Sequence, residues 1–315
     1  FYTLLVISTI LFDKAPFKNC IVLGHVNDKN GVKMSKHKGN VVDPWSVLDK
    51  QGADAVRWYF YTSSAPWLPS RFYPEAVSEA QRKYMGTIWN TYAFFCLYAD
   101  IDGYDPSKYD LKKCKLSLMD KWILSKLNTL IDEVDKHLAV YNITDSARAL
   151  QEFSDILSNW YVRRGRERYW GSEMTEDKAA AYTTLWHVLV TFAKLTAPYT
   201  PFIAEQMYLN LVPAFFKDAP KSVHLCAFPT YHASFVDAAP TCTITAISSP
   251  AASLTASATC ILSSVLSKKP SPVEPQAYIP FTPSCLYFVT RAFIASVFML
   301  SFSSYIAFKA QKTPL

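Results

Sequence analysis

Residues 19–40 read NCIVLGHVNDKNGVKMSKHKGN, and this stretch decides what kind of fold the chain enters. Its first part, 19–26, is an apolar run closed by Asp28-Lys29-Asn30-Gly31, whose Asn-Gly pair favours a tight turn. The run is expected to be a buried strand. Three lysines follow within six residues, Lys33, Lys36 and Lys38, with Ser35 and Gly39 among them. Lysines on a loop after a buried strand reach a polyphosphate as point charges, and small residues let the backbone come close. Such a loop stabilises charge that develops on phosphates as pyrophosphate leaves. Composition alone leaves a solvated basic turn open as the plainer reading.

Downstream, the pattern turns helical. Asp43-Pro44 opens a short helix to about residue 49, and a second is expected at 53–61 before Pro66 and Pro69 force a loop. From Pro74 to residue 99, Ala76, Ala80, Tyr84, Ile88, Tyr92 and Phe95 recur at spacings of three and four, a helical stripe. Further helices are expected at 117–140, 144–170, 176–197 and 202–211, joined by short loops, which implies an antiparallel bundle. Trp89, Trp122 and Trp186 fall on apolar stripes and are expected in the core. Asp54 and Arg57 sit at i,i+3 spacing and are expected to pair on their helix.

Composition divides the chain. The 315 residues carry 32 Lys or Arg and 26 Asp or Glu, a net +6, too small an excess to establish a nucleic-acid partner. Residues 232–315 hold 7 charged residues among 84, no Gly and no Trp, while 43 of the 84 are Ala, Ser, Thr or Pro. Out-of-frame translation, a disordered linker at 241–275 leading to an uncharged membrane segment at 292–308, and an accessory domain compete for this tail, the first being favoured. Seven cysteines (Cys20, Cys96, Cys114, Cys226, Cys242, Cys260, Cys285) form no CxxC pair, and no two of six histidines stand at ligand spacing, so neither a disulfide framework nor a metal site is expected. The opening run FYTLLVISTILF lacks the basic flank of a secretory signal and reads as the middle of a domain.

One more cluster carries charge. Residues 159–170 read NWYVRRGRERYW, placing Arg163, Arg164, Arg166 and Arg168 beside Trp160, Tyr161, Tyr169 and Trp170. On a helix Arg164 and Arg168 share one side, with Arg163 and Arg166 about 100° or more away. Guanidinium groups suit phosphate contact and aromatics stack on unpaired bases. The plainer alternative pairs Glu167 with Arg163 and puts the aromatics in the core.

The order of residues narrows these readings. Lys33-Met34-Ser35-Lys36-His37 resembles the KMSKS signature of class I aminoacyl-tRNA synthetases, and the following GNVVDPWSVLDKQGADAVRWYFYTSSAPW is similar to the segment after it in the isoleucyl, valyl and leucyl group. NWYVRRGRERYW resembles the helix that marks the anticodon-binding domain of isoleucyl-tRNA synthetases. The resemblance covers residues 1–231. It implies a mainly α chain: the remnant of a Rossmann-like α/β nucleotide-binding domain (1–45), a connecting helical region (46–115), an α-helical anticodon-binding bundle (116–231) and the tail (232–315).

The resemblance also implies roles. Lys36 matches the second signature lysine, which in the family contacts ATP phosphates; Lys33 and Ser35 match the first lysine and the serine. Gly24, His25 and Val26 lie on the strand that in the family passes near the adenine. His37 departs from the usual Ser, a change expected to alter loop mobility more than phosphate contact. Arg163, Arg164, Arg166, Arg168 and Trp170 match the tRNA-binding helix. The implied cofactor is ATP with Mg as its counter-ion, and the implied partners are isoleucine and tRNA(Ile), with a monomeric, cytoplasmic enzyme and no membrane. The amino-acid pocket, the HIGH signature and the editing domain are not found, so a carboxy-terminal piece without catalytic competence of its own is expected. A valyl-type remnant and a stand-alone tRNA-binding module are the alternatives.

Overall fold

The computed structural model describes residues 1–232. The readings of the tail as out-of-frame translation, a linker at 241–275, a membrane segment at 292–308 or an accessory domain lie outside the described residues. The chain starts with helix α1 (Tyr2–Phe12), none of whose residues is buried. The strand expected at 19–26 is not formed: only Val26–Asn27 (β1) is strand, paired in parallel with a second two-residue strand at Ser70–Arg71, and Val22 and Leu23 are exposed. A parallel strand is buried when neighbours flank it and helices cover both faces. Among the described residues β1 has one strand neighbour two residues long, so the apolar run stays at the surface.

From Pro44 the helices follow the expected order. In α2 (Pro44–Gln51), proline occupies the first turn, where its missing N–H costs nothing, and Asp43 Oδ1 accepts from Trp45 N at 3.3 Å. Helix α3 (Ala53–Ser63) precedes β2 (Ser70–Arg71). The helix expected at 74–99 is α4 (Pro74–Gln81) and α5 (Thr87–Ile101) joined by a π-helical turn at Arg82–Gly86. Next come α6 (Leu118–Ala139) and α7 (Ile143–Ile156). A second π-helical turn (Leu157–Val162) leads into α8 (Arg163–Gly165) and α9 (Glu167–Trp170), so the single helix expected at 144–170 is interrupted. The bundle is completed by α10 (Glu176–Thr196) and α11 (Pro201–Leu211).

The core lies where α6 packs on α7 and α10, α10 on α11, and α3 on α4 and α7. Tyr84, Ile88, Tyr92 and Phe95 are buried as their stripe requires; Val77 takes the place expected of Ala76 at its start. Trp58 is fully buried and stacks on Tyr84 with ring centroids 3.6 Å apart. Burying one such side chain is worth about 2–3 kcal/mol. Trp122 is buried and Trp186 half-buried, its indole N–H donating to the Leu211 carbonyl at 2.9 Å, but Trp89 is 41% exposed. Ile88 beside it holds the inward position of the stripe, and successive helical residues point about 100° apart.

Asp54 and Arg57 do not pair. Arg57 donates to the carbonyls of Tyr199 (3.0 Å) and Pro198 (2.8 Å), while Asp54 accepts from Ile203 N at 2.8 Å. The cation meets carbonyls just beyond the end of α10 and the carboxylate meets the start of α11, the signs each helix end prefers. The two residues therefore clamp α3 onto the turn between these helices. Burial raises the Asp54 carboxyl above its ordinary range, against the lowering effect of the Ile203 and Phe202 amides and of Arg57. Among the described residues no helix is long and apolar enough to cross a membrane.

Candidate functional site

The lysine loop is organised by two residues that carry no positive charge. Asp28 closes the preceding turn: its Oδ1 accepts from Val32 N at 2.8 Å and Asn30 N at 3.0 Å. Its Oδ2 accepts from Asn40 Nδ2 at 2.8 Å, and Asn40 in turn accepts from Ser35 N at 2.9 Å and donates to the Lys33 carbonyl at 3.3 Å. The hydrogen bond from Asn40, with those from the Val32, Asn30 and Gly31 amides, holds the Asp28 carboxyl below its usual value. Lys33–Asn40 is thus a closed loop pinned at both ends. Its crown is a 3-10 turn, Lys36–Lys38, ended by Gly39 at φ 67°, a left-handed conformation that a side chain disfavours. Lys36, His37 and Lys38 are exposed on this crown and Lys33 at the start of the loop, and Met34 points inward against the core.

Gly24, His25 and Val26 lie beside the 66–71 segment rather than on a buried strand. Gly24 N donates to the Pro66 carbonyl at 2.9 Å, and Ser70 N donates to the His25 carbonyl at 3.0 Å. A Cβ on Gly24 would sit 2.1 Å from the Leu68 carbonyl oxygen, so glycine is required there for close backbone passage. His25 and Val26 are exposed. Among the described residues no group of three or more His, Cys, Asp or Glu could hold a metal ion.

The arginines fall into different environments. Arg163, Arg164 and Arg166 are exposed, as is Trp170 at 59%. The Arg164 guanidinium lies over the Trp160 ring at 4.3 Å and that of Arg166 over Phe94 at 5.8 Å, contacts that hold the cations in place while leaving them solvated. Glu167 forms no ion pair with Arg163.

Arg168 departs from its neighbours. Its Nη1 and Nη2 donate to Asp120 Oδ1 and Oδ2 at 2.8 and 2.9 Å, and its Nε to Asp177 Oδ2 at 2.8 Å. The Asp120 carboxylate is fully buried and also accepts from Tyr161 OH (2.6 Å), Ser117 Oγ (2.7 Å) and Ser117 N (2.9 Å). Burial would raise this carboxyl, but the hydrogen bonds and charge of Arg168, with those from Tyr161 and Ser117, outweigh it and hold Asp120 below its usual value. The side that Arg164 and Arg168 were expected to share is therefore not uniformly free: Arg164 faces solvent and Arg168 fastens α9 to the first turn of α6 and to α10. Sequence reasoning passed over Asp120, although Ser117-x-x-Asp120 is a capping box visible in the sequence. It also passed over Asn40, whose signal was only its polar position after Gly39.

Comparison with known proteins follows this geometry. A profile described as tRNA synthetases class I (I, L, M and V) matches residues 1–67, and one described as Anticodon-binding domain of tRNA ligase matches residues 120–255. Over 237 residues, 75% of the chain, it is 58% identical to an isoleucine–tRNA ligase of Clostridium acetobutylicum. Over three quarters of its length the chain matches isoleucine–tRNA ligases, an enzyme family. The chain is also 57% identical to an isoleucine–tRNA ligase of Clostridium novyi, again over 237 residues. In both cases it spans 23% of the relative's length, so it covers only part of an enzyme of this family. In fold, the chain is similar to the LeuRS of Agrobacterium radiobacter K84 in a ternary complex with tRNA and LeuAMS. That likeness has a TM-score of 0.56 at 22% identity, covering 75% of this chain and 28% of the other.

Proposed function

We propose that these residues serve isoleucine–tRNA ligation, in which isoleucine is activated with ATP and passed to tRNA(Ile). The observation that carries the reading is the closed lysine loop, 33–40, in a chain 58% identical to isoleucine–tRNA ligase. Lys36, Lys33 and the Ser35 hydroxyl are the groups offered to ATP phosphates, and a rigid loop keeps their charge where it develops as pyrophosphate leaves. The residues fit the phosphates: the crown is cationic and exposed, and the oxygens of Asp28 below it are taken by Asn40 and by backbone amides. Mg would enter as the counter-ion of the phosphates. Gly24, His25 and Val26 are proposed to line the nucleotide's path through their backbone.

The anticodon-binding bundle supplies the RNA contact. Arg163, Arg164 and Arg166 meet phosphates, and Trp170 offers an exposed ring for an unpaired base. Arg168 contributes by fixing α9 in place. The working site is proposed to be the cytoplasm, with the protein a monomer. Because the chain spans 23% of its relatives' length, isoleucine-dependent ATP–pyrophosphate exchange by this polypeptide alone is expected to be absent.

Retention of tRNA(Ile) on filters tests the reading. Binding whose logarithm falls steeply with the logarithm of salt supports it, and no retention at low salt overturns it. A second reading, a stand-alone tRNA-binding module, is favoured by the closure of the bundle core around α6, α7 and α10 and predicts the same binding with no exchange under any condition. A valyl-type origin predicts preference for tRNA(Val).

A further inference from the structure

Just before α6 the chain makes a tight basic turn that nothing above employs. Asp110 Oδ1 accepts from Lys112 N at 3.0 Å, and the Asp110 carbonyl accepts from Lys113 N and Cys114 N. Leu111 and Leu116 pack against the core on either side. Between this turn and the first turn of α6 lies an open groove of about 350 Å3, lined by Leu111, Lys112, Cys114, Lys115, Leu116 and Lys121.

Among the described residues the charge of this groove is uncompensated. Lys112, Lys115 and Lys121 are exposed and hold no described carboxylate, and neither does neighbouring Lys113, whereas Lys83, Lys108, Lys136 and Lys178 each do. Two acidic residues stand in the segment. Asp110 spends an oxygen on the turn, and Asp120 is buried and bound to Arg168. Like charges within a Debye length of about 8 Å repel, so gathering them is favoured when a polyanion arrives. Apolar walls with a lysine rim suit a sugar–phosphate backbone, which lysines contact without regard to sequence.

The groove also lies at the end of α6 to which the arginine segment is fastened. Lys121 follows Asp120 directly, and the Asp120 carboxylate grips Arg168 at 2.8 Å, which brings α9 to the same end of α6. Two separate cationic edges on one rigid support call for a ligand long enough to reach both. We infer that the groove at 111–121 is a second phosphate-backbone contact for tRNA, extending the surface that begins at Arg163, Arg164 and Arg166. This rests on the tRNA reading above.

The test uses the full chain and the triple variant K112Q/K115Q/K121Q, with Lys83→Gln as a control. Affinity for tRNA(Ile) is measured across a salt series. Each lost phosphate contact flattens the slope of log K against log salt by about 0.7–0.9, so the triple variant is expected to lose about 2 from its slope and the control nothing. Amine acetylation of the unmodified chain gives a readout that does not depend on the variant folding: Lys112, Lys115 and Lys121 are expected to be protected by tRNA and not by tripolyphosphate at equal phosphate concentration. If tRNA binds with an unchanged slope in a folded variant, or leaves the three lysines unprotected, this inference fails while the tRNA reading stands. If tripolyphosphate protects them equally, the groove is a small-anion site and the inference fails. If the unmodified chain binds no tRNA, both readings fail together.

Discussion

Replacing Arg168 by alanine removes the only cation, among the described residues, that touches the fully buried carboxylate of Asp120. Arg168 gives Asp120 two hydrogen bonds, at 2.8 and 2.9 Å, and the Asp120 carboxylate has no exposure. In Arg168→Ala, Tyr161 OH and the Ser117 groups remain as neutral donors. Breaking a buried pair from one side costs about 3–5 kcal/mol, and because the Arg168 side chain is itself 17% exposed the lower end, about 3 kcal/mol, is expected. For a domain of this size that corresponds to a fall in Tm of about 6–12 °C.

The pH dependence gives this prediction its sharper form. In the unmodified protein Asp120 titrates below its unfolded value near 4, so its stabilising contribution is fully present above that pH and is lost as pH falls through the lower folded value. Without Arg168, burial dominates and the carboxyl titrates above its unfolded value, so acidification relieves the variant. The stability gap should therefore be widest at pH 7 and narrow towards pH 4. Urea denaturation followed by circular dichroism at both pH values measures it. A variant within about 1 kcal/mol of the unmodified chain, or a gap that does not change with pH, would refute the account of this cluster.

Asn40→Ala removes three hydrogen bonds from the lysine loop, each worth about 1 kcal/mol net, and should raise amide exchange at Ser35 roughly tenfold or more; unchanged exchange across 33–40 would show that the loop is held otherwise. Gly24→Ala places a methyl group 2.1 Å from the Leu68 carbonyl, so the two segments must part at a cost of about 1–3 kcal/mol, read as lost protection of the Ser70 amide. Asp54 titrates above its unfolded value because of burial, so its ionised form costs stability at neutral pH. Asp54→Asn, which keeps an acceptor for Ile203 N, should be as stable as the unmodified chain or more so at pH 7 and lose that advantage on acidification, as denaturation at the two pH values will show.

Local signals in the sequence served the helices well and the contacts between them poorly. Pro44 and the stripe through Tyr84, Ile88, Tyr92 and Phe95 each act within a few residues, and each marks what the structure forms. The strand at 19–26 failed because burying a strand depends on neighbours that a run of apolar residues does not specify. Asp54 and Arg57 had the spacing of a helical pair, yet partners in the 198–203 turn, more than 140 residues away, offered unsatisfied helix-end groups that bind each charge better. Trp89 was misread because Ile88 beside it takes the inward position, and successive helical residues point about 100° apart. At the site, the exposed cations were legible from residue type. Which arginine is structural was not, because Asp120 lies 48 residues from Arg168 and only folding brings the two together.

The central claim is that an exposed arginine and tryptophan surface on the bundle, held by Arg168 but not including it, binds tRNA(Ile). Competition binding at fixed salt tests it most directly, comparing tRNA(Ile) with tRNA(Val) on the unmodified chain and on R164A/W170A. The account predicts preference for tRNA(Ile) and at least a tenfold loss of affinity in a variant that keeps its full stability, stacking of one base being worth about 1–3 kcal/mol. Equal affinity for the two tRNAs, or a variant that binds as tightly as the unmodified chain, would contradict it.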